Sequence, residues 1–154
     1  MSSEKTIFHK IGSLIPGYEG YAERDGRRDA DKKLRDVIYS NLNDTEKKLY
    51  KMIDTEIEKN DMSKAKRIDA FRKSINTFSS QVKYSPYGAS GFFSDEKIEK
   101  EELERIYQFD LALLNKVDLL KSSINKNEID NSTKYFDEAK ELLMTRNSFI
   151  HNFS

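Results

Sequence analysis

Ile68-Asp-Ala-Phe71-Arg-Lys-Ser-Ile75-Asn-Thr-Phe78-Ser-Ser-Gln-Val82 sets an apolar residue at steps of 3, 4, 3 and 4, with polar residues between. That spacing is one face of an amphipathic helix and the seam of a left-handed bundle. The helix must stop near Tyr84, because Ser85 precedes Pro86 and the residue before a proline avoids helical backbone.

Working outward, the same period recurs on both sides. Towards the N-terminus, Ala30, Leu34, Val37/Ile38, Leu42, Thr45, Leu49, Met52/Ile53 and Ile57 hold one phase, which reads as one long helix over roughly 23–59. A kink or restart at Asp44 is the alternative, since Asn43 and Asp44 are helix-start residues. Asn60-Asp61 makes a turn, with Asp61 or Ser63 as the next N-cap. Towards the C-terminus, Leu103, Ile106, Asp110, Leu113, Val117, Leu120 and Ile124 mark a third helix, beginning near Ser94 or Lys100. Tyr135/Phe136, Ala139, Leu142/Leu143, Arg146 and Phe149/Ile150 mark a fourth, from about Asn131. Residues 1–22 form an arm and loop in which Ile7, Phe8, Ile11 and Leu14 share a helical face. The expected fold is all-α: an up-and-down antiparallel bundle of four main helices with an N-terminal arm or short helix, in a single domain over 1–154.

Composition limits the function classes. Lys+Arg and Asp+Glu number 27 each, so the chain is not strongly basic and its overall charge does not point to nucleic acid or an anionic membrane. There is no cysteine, hence no disulfide, thiolate metal site or cysteine nucleophile. No apolar run reaches the length of about 20 residues needed to cross a bilayer, and a cytoplasmic location is expected. His9 and His151 are lone histidines near opposite termini, no Glu-x-x-His motif is present, and no Ser/His/Asp set assembles; neither metal, cofactor nor catalysis is expected.

Two loops are special in composition. Ile15-Pro-Gly-Tyr18-Glu-Gly-Tyr21 leads into a run, Glu23 to Asp36, holding the cations Arg24, Arg27, Arg28, Lys32, Lys33 and Arg35 among five acids. It lacks the Gly-Lys-Ser/Thr of a phosphate loop. Tyr18 and Tyr21 either anchor the loop or stack on a ring, and Arg27 and Arg28 either pair along the helix or hold a phosphate or carboxylate. The second loop, 85–98, brings Tyr87, Phe92 and Phe93 close behind Tyr84, as an aromatic plug or as a lid. Asp110 falls where the seam calls for an apolar residue, so it should meet a cation; Arg146 on the fourth helix and the arginines at the head of the first, Arg35 among them, are the rivals.

Two segments resemble a group of small uncharacterised prokaryotic helical proteins. One is Pro16-Gly17-Tyr18-Glu19-Gly20-Tyr21 followed by Arg24, Arg27-Arg28, Asp31-Lys32 and Leu34-Arg35. The other is Tyr84 to Phe93 followed by Leu103 and Ile106 to Leu114. The resemblance brings no activity, cofactor or binding residue with it. Gly26 stands where a good helix former is expected, which leaves the start of the first long helix open. These readings converge on a protein-interaction or scaffolding module that meets a partner or its own copy through Tyr18, Tyr21, Arg24, Arg27, Arg28, Tyr84, Tyr87, Phe92 and Phe93. The alternative is an anionic small molecule or nucleotide held at that end, and a more distant one is single-stranded nucleic acid.

Overall fold

The computed structural model describes residues 3–85, 90–94 and 97–153, with side chains from Thr6 onward. Tyr87 and the neighbouring Pro86 lie outside the described residues. The chain is all-α and contains no strand among them. Five helices pack together: α1 (Ser3–Leu14), α2 (Arg27–Glu58), α3 (Met62–Lys83), α4 (Lys100–Asn125) and α5 (Ile129–His151), with short 3-10 turns at Arg24–Gly26 and Gly91–Phe93.

The expected start of the long helix near Glu23 is corrected to Arg27. Gly26 carries the full backbone entropy penalty of glycine in a helix, and its N–H donates to the Glu23 carbonyl at 3.0 Å, closing a 3-10 turn instead. The segment 41–45 does not break α2. Thr45 Oγ1 bonds back to the Asn41 carbonyl at 2.8 Å, while Asn41 Oδ1 and Asp44 both accept from Lys121 Nζ of α4 at 3.2 Å. Asn41 and Asp44 are thus bonded to a neighbouring helix and Thr45 to its own, so none of the three caps a new one.

The two tight turns are built alike. Asn60 and Asn127 adopt left-handed backbone at φ 61° and 60°, a conformation asparagine tolerates well. After α2, the Asp61 N–H reaches the Glu56 carbonyl and Asn60 reaches Ile57; after α4, Glu128 reaches Ser123 and Asn127 reaches Ile124. Each pair of bonds satisfies carbonyls that a helix end otherwise leaves open. The next helix then starts at once: the Asp61 side chain accepts from Lys64 N at 3.1 Å. At the head of α4, Glu102 reaches back to the Glu99 N–H at 2.9 Å.

Helix α2 packs on α3 and α4, α4 packs on α5 and α1, and α3 touches α5 over only a short length. The seam residues Leu34, Ile38, Leu42, Ile68, Ile75, Phe78, Val117, Leu120, Ala139 and Ile150 are buried in one apolar cluster with Ile11 and Ile15 of the N-terminal segment. Burial of each large apolar side chain is worth about 1.5–3 kcal/mol. Ile57, expected on the stripe, is exposed, because the last turns of α2 extend beyond the packed seam. No helix among the described residues is long and apolar enough to cross a membrane.

Candidate functional site: a buried polar cluster under the N-terminal segment

Two glycines shape the loop that follows α1. Gly17 and Gly20 have φ of 75° and 78°, and a Cβ on Gly20 would come within 2.7 Å of the Phe8 ring. Only glycine permits both this backbone and this approach. The loop thereby drives Tyr21 into the bundle, where its N–H donates to the Tyr107 hydroxyl of α4 at 3.0 Å.

The Tyr21 hydroxyl donates to Asp110 Oδ2 at 2.5 Å. Arg146 Nε of α5 donates to Asp110 Oδ1 at 2.5 Å, and its Nη2 reaches Asp31 Oδ1 of α2 at 2.8 Å and the Tyr21 hydroxyl at 3.0 Å. Asp31 Oδ2 accepts from Arg35 Nε at 2.8 Å, and Arg35 Nη1 reaches the Lys83 carbonyl at the end of α3 at 2.6 Å. Two carboxylates and two guanidiniums thus neutralise one another in a chain that links the N-terminal loop, α4, α5, α2 and α3. Asp110 and Arg146 are both 0% exposed.

Burial pushes the Asp110 carboxyl above the usual range, against the opposing pull of Arg146 and the Tyr21 hydrogen bond. It likewise drives the Tyr21 phenol well upward, with the negative charge of Asp110 adding to the effect, and the Tyr18 phenol upward. Both hydroxyls are therefore fixed as protonated groups at neutral pH. Tyr18 Oη is buried without a hydrogen-bond partner, its ring held by the edges of Tyr21 and Tyr107 at 6.1 and 6.5 Å.

An aromatic plug lies alongside. The Phe92 ring meets those of Tyr21, Phe93 and Phe153 at 5.2, 5.0 and 5.6 Å. Arg27 fastens plug to loop, donating from Nε to the Tyr21 carbonyl at 3.1 Å and from Nη1 to the Phe92 carbonyl at 3.2 Å. Ser90 Oγ donates to the Ile150 carbonyl of α5 and accepts from the Phe92 N–H.

No family model, curated protein or solved structure matches this chain.

Of the residues expected to form an interaction or ligand surface, Tyr18, Tyr21, Arg27, Phe92 and Phe93 are buried against one another and offer no free face. Arg27 donates to backbone carbonyls of the loop and the plug. Arg24 and Arg28 are exposed, the latter with its guanidinium over the Phe93 ring at 4.9 Å. Tyr84 is exposed too, but it lines a groove between α3 and α5. Among the rival cations, Arg146 is the one that meets Asp110, while Arg35 meets Asp31.

Sequence reasoning missed Asp31, Tyr107 and Ser90. Asp31 was readable as a seam residue, since Arg27, Asp31, Leu34 and Ile38 also step 4, 3, 4; its position within a charged run hid it. Tyr107 lies three residues before Asp110 on the same face. Ser90 gives no signal in the sequence. Among the described residues no group of three or more His, Asp or Glu could hold a metal ion. His9 and His151 are both exposed.

Proposed function

We propose that this chain is a protein-interaction or scaffolding module, without a catalytic step, that works by association of two copies through the groove between α3 and α5. One observation carries the reading. Of the ten residues lining that groove (about 800 Å³), Lys140 alone is charged, in a chain that is 35% charged. Depletion of charge with enrichment of aromatic and Met side chains marks the core of an interface. Tyr84 and Met144, 71% and 69% exposed, are the most exposed large apolar side chains described, and both line it.

A second copy is favoured because the groove complements itself. The side-chain amides of Asn76 and Gln81 line it, and each carries both a donor and an acceptor. A two-fold contact pairs each with the other's counterpart, as isologous interfaces do. The reading also takes the five helices as an up-and-down antiparallel bundle of four long helices with α1 laid across one end, supported by the three-residue connections at 59–61 and 126–128. It includes a cytoplasmic location, which the lack of cysteine supports.

Sedimentation velocity across the micromolar range tests the proposal. A concentration-dependent dimer that Met144→Glu dissolves, with the helical circular dichroism unchanged, is the expected result. A wild-type chain that stays monomeric throughout would refute it.

A further inference from the structure

Lys48, Lys51 and Thr55 step along one face of α2 at intervals of 3 and 4, together with Met52, and Lys59, directly after the helix, follows four residues on. At 32 residues α2 is about 48 Å long, and its last turns run past the tight turn between α4 and α5. The overhang leaves a concavity of about 420 Å³, closed on its other sides by Lys64 at the start of α3 and by Asn127 and Ile129. It lies about 30 Å along α2 from Asp31, remote from both the polar cluster and the α3–α5 groove.

Four ammonium groups therefore line one small hollow in a protein of zero net charge. The only acid lining it is Glu56, whose buried carboxylate forms ion pairs with Lys64 Nζ at 3.3 Å and Lys59 Nζ at 3.9 Å. Lys48 and Lys51 have no ion pair among the described residues. The nearby Glu128 carboxylate is engaged by Asn131 at 3.1 Å. Like charges three or four residues apart on a helix are destabilising, and Lys48 and Lys51 lie three apart; Asp44, four residues before Lys48, pairs instead with Lys121 of α4, whereas Lys32, Lys33 and Lys73 each make an ion pair with a carboxylate four residues before or after them. Ile129, the first residue of α5, faces the same hollow, and no side chain caps that helix; the partial positive charge of a helix start adds to the lysines.

We propose that this concavity is a binding site for a small polyphosphate anion, a diphosphate or triphosphate group either free or carried on a small molecule. Lysines are compact point charges that hold phosphate oxygens from several directions without the planar fit of arginine. The volume falls in the range of small-molecule pockets, about 300–1,000 Å³. Met52 and Ile129 give the floor an apolar portion on which the carrier of the phosphates can rest.

Isothermal titration calorimetry of the full chain at low salt, with inorganic pyrophosphate, inorganic tripolyphosphate, orthophosphate and ATP as separate titrants, provides the test. One site per chain is expected, tighter for tripolyphosphate than for orthophosphate and weakened by added salt. Lys48→Gln with Lys51→Gln should reduce the affinity about tenfold or more, while Lys140→Gln leaves it unchanged. ATP binding more tightly than tripolyphosphate identifies a carried phosphate, and the reverse identifies a free one. Because the double substitution removes two neighbouring like charges that make no ion pair among the described residues, its thermal melt should be no lower than that of the wild type, which separates lost binding from lost folding. Absence of binding by every titrant, or equal affinity in the wild type and the double variant, would overturn the proposal.

Discussion

Replacing Arg146 with Met tests the physics of the buried cluster most directly. The change keeps most of the side-chain volume, so a cavity contributes little; what it removes is the cation between two buried carboxylates. Asp31 retains Arg35 at 2.8 Å, but Asp110 is left with only the Tyr21 hydroxyl. Removing one partner of a buried pair costs about 3–5 kcal/mol, a large part of the total of about 5–15 kcal/mol for a typical domain. With about 2–4 °C lost per kcal/mol at this chain length, the melting temperature should fall by roughly 6–20 °C.

The loss should also depend on pH in a definite direction. Without Arg146, the Asp110 carboxyl in the folded chain rises further above its unfolded value of about 3.9. A group whose folded pKa is raised contributes stability that is present below the unfolded pKa and disappears as pH rises through the folded one. The deficit of Arg146→Met is therefore smallest near pH 4 and grows towards neutrality. Adding Asp110→Asn removes the charge that caused it, so the double variant should be more stable at pH 7 than Arg146→Met alone. Urea unfolding of the wild type, both single variants and the double variant closes the cycle. A loss below about 1 kcal/mol, or a double variant no better than Arg146→Met, would refute the reasoning.

Three further outcomes follow from the same geometry. Asp110→Asn alone cannot titrate, so the stability of the wild type relative to this variant should decline as pH rises from about 4. The carboxylates of Asp69 and Glu138, held low by Arg72 and Lys116, act with the opposite sign but equally in both proteins and cancel; a rising difference in urea midpoints would contradict the raised carboxyl. Gly20→Ala should cost about 1–3 kcal/mol in thermal unfolding, because its Cβ meets the Phe8 ring at 2.7 Å on left-handed backbone. Gly17→Ala shares the backbone strain but meets only the end of the Lys33 side chain, at 3.3 Å, and should cost less.

The helices were legible because their signal is local. A period of three and four fixes which face of 68–82 or 103–124 is buried, and the two asparagine turns lie where that period is interrupted. The start of α2 was less so, since Gly26 and the five acids of the run Glu23 to Asp36 obey no single period. Asp110 announced itself by breaking an apolar seam, and so did Arg146. Which of several arginines would meet Asp110 was not legible, because that depends on how α5 slides along α4, a relation between segments 36 residues apart. The burial of Tyr21 and Phe92 was equally hidden: an aromatic residue in a Gly-rich loop has the same sequence signature whether it plugs a core or waits for a ligand.

That sliding is what the buried cluster controls. Apolar seams made of Leu, Ile and Phe are tolerant partners, and moving one helix past another by a turn of about 5.4 Å leaves much of their contact intact. Directional bonds do not survive such a shift. Tyr21, Asp31, Asp110 and Arg146 come from four separate segments, the outermost 125 residues apart, and each satisfies groups that would otherwise be buried and unpaired. A slip of α4, α5 or the N-terminal loop strands at least one charge, which is why polar residues sit where apolar ones would pack more simply. The cluster is thereby fully occupied with holding the fold. The exposed Met144 and Tyr84 of the α3–α5 groove have no such duty, nor do Lys48 and Lys51 of the α2 overhang, which make no ion pair among the described residues. They carry a cost that the isolated chain does not recover, and that asymmetry is the physical reason to look for partners there instead of in the buried centre.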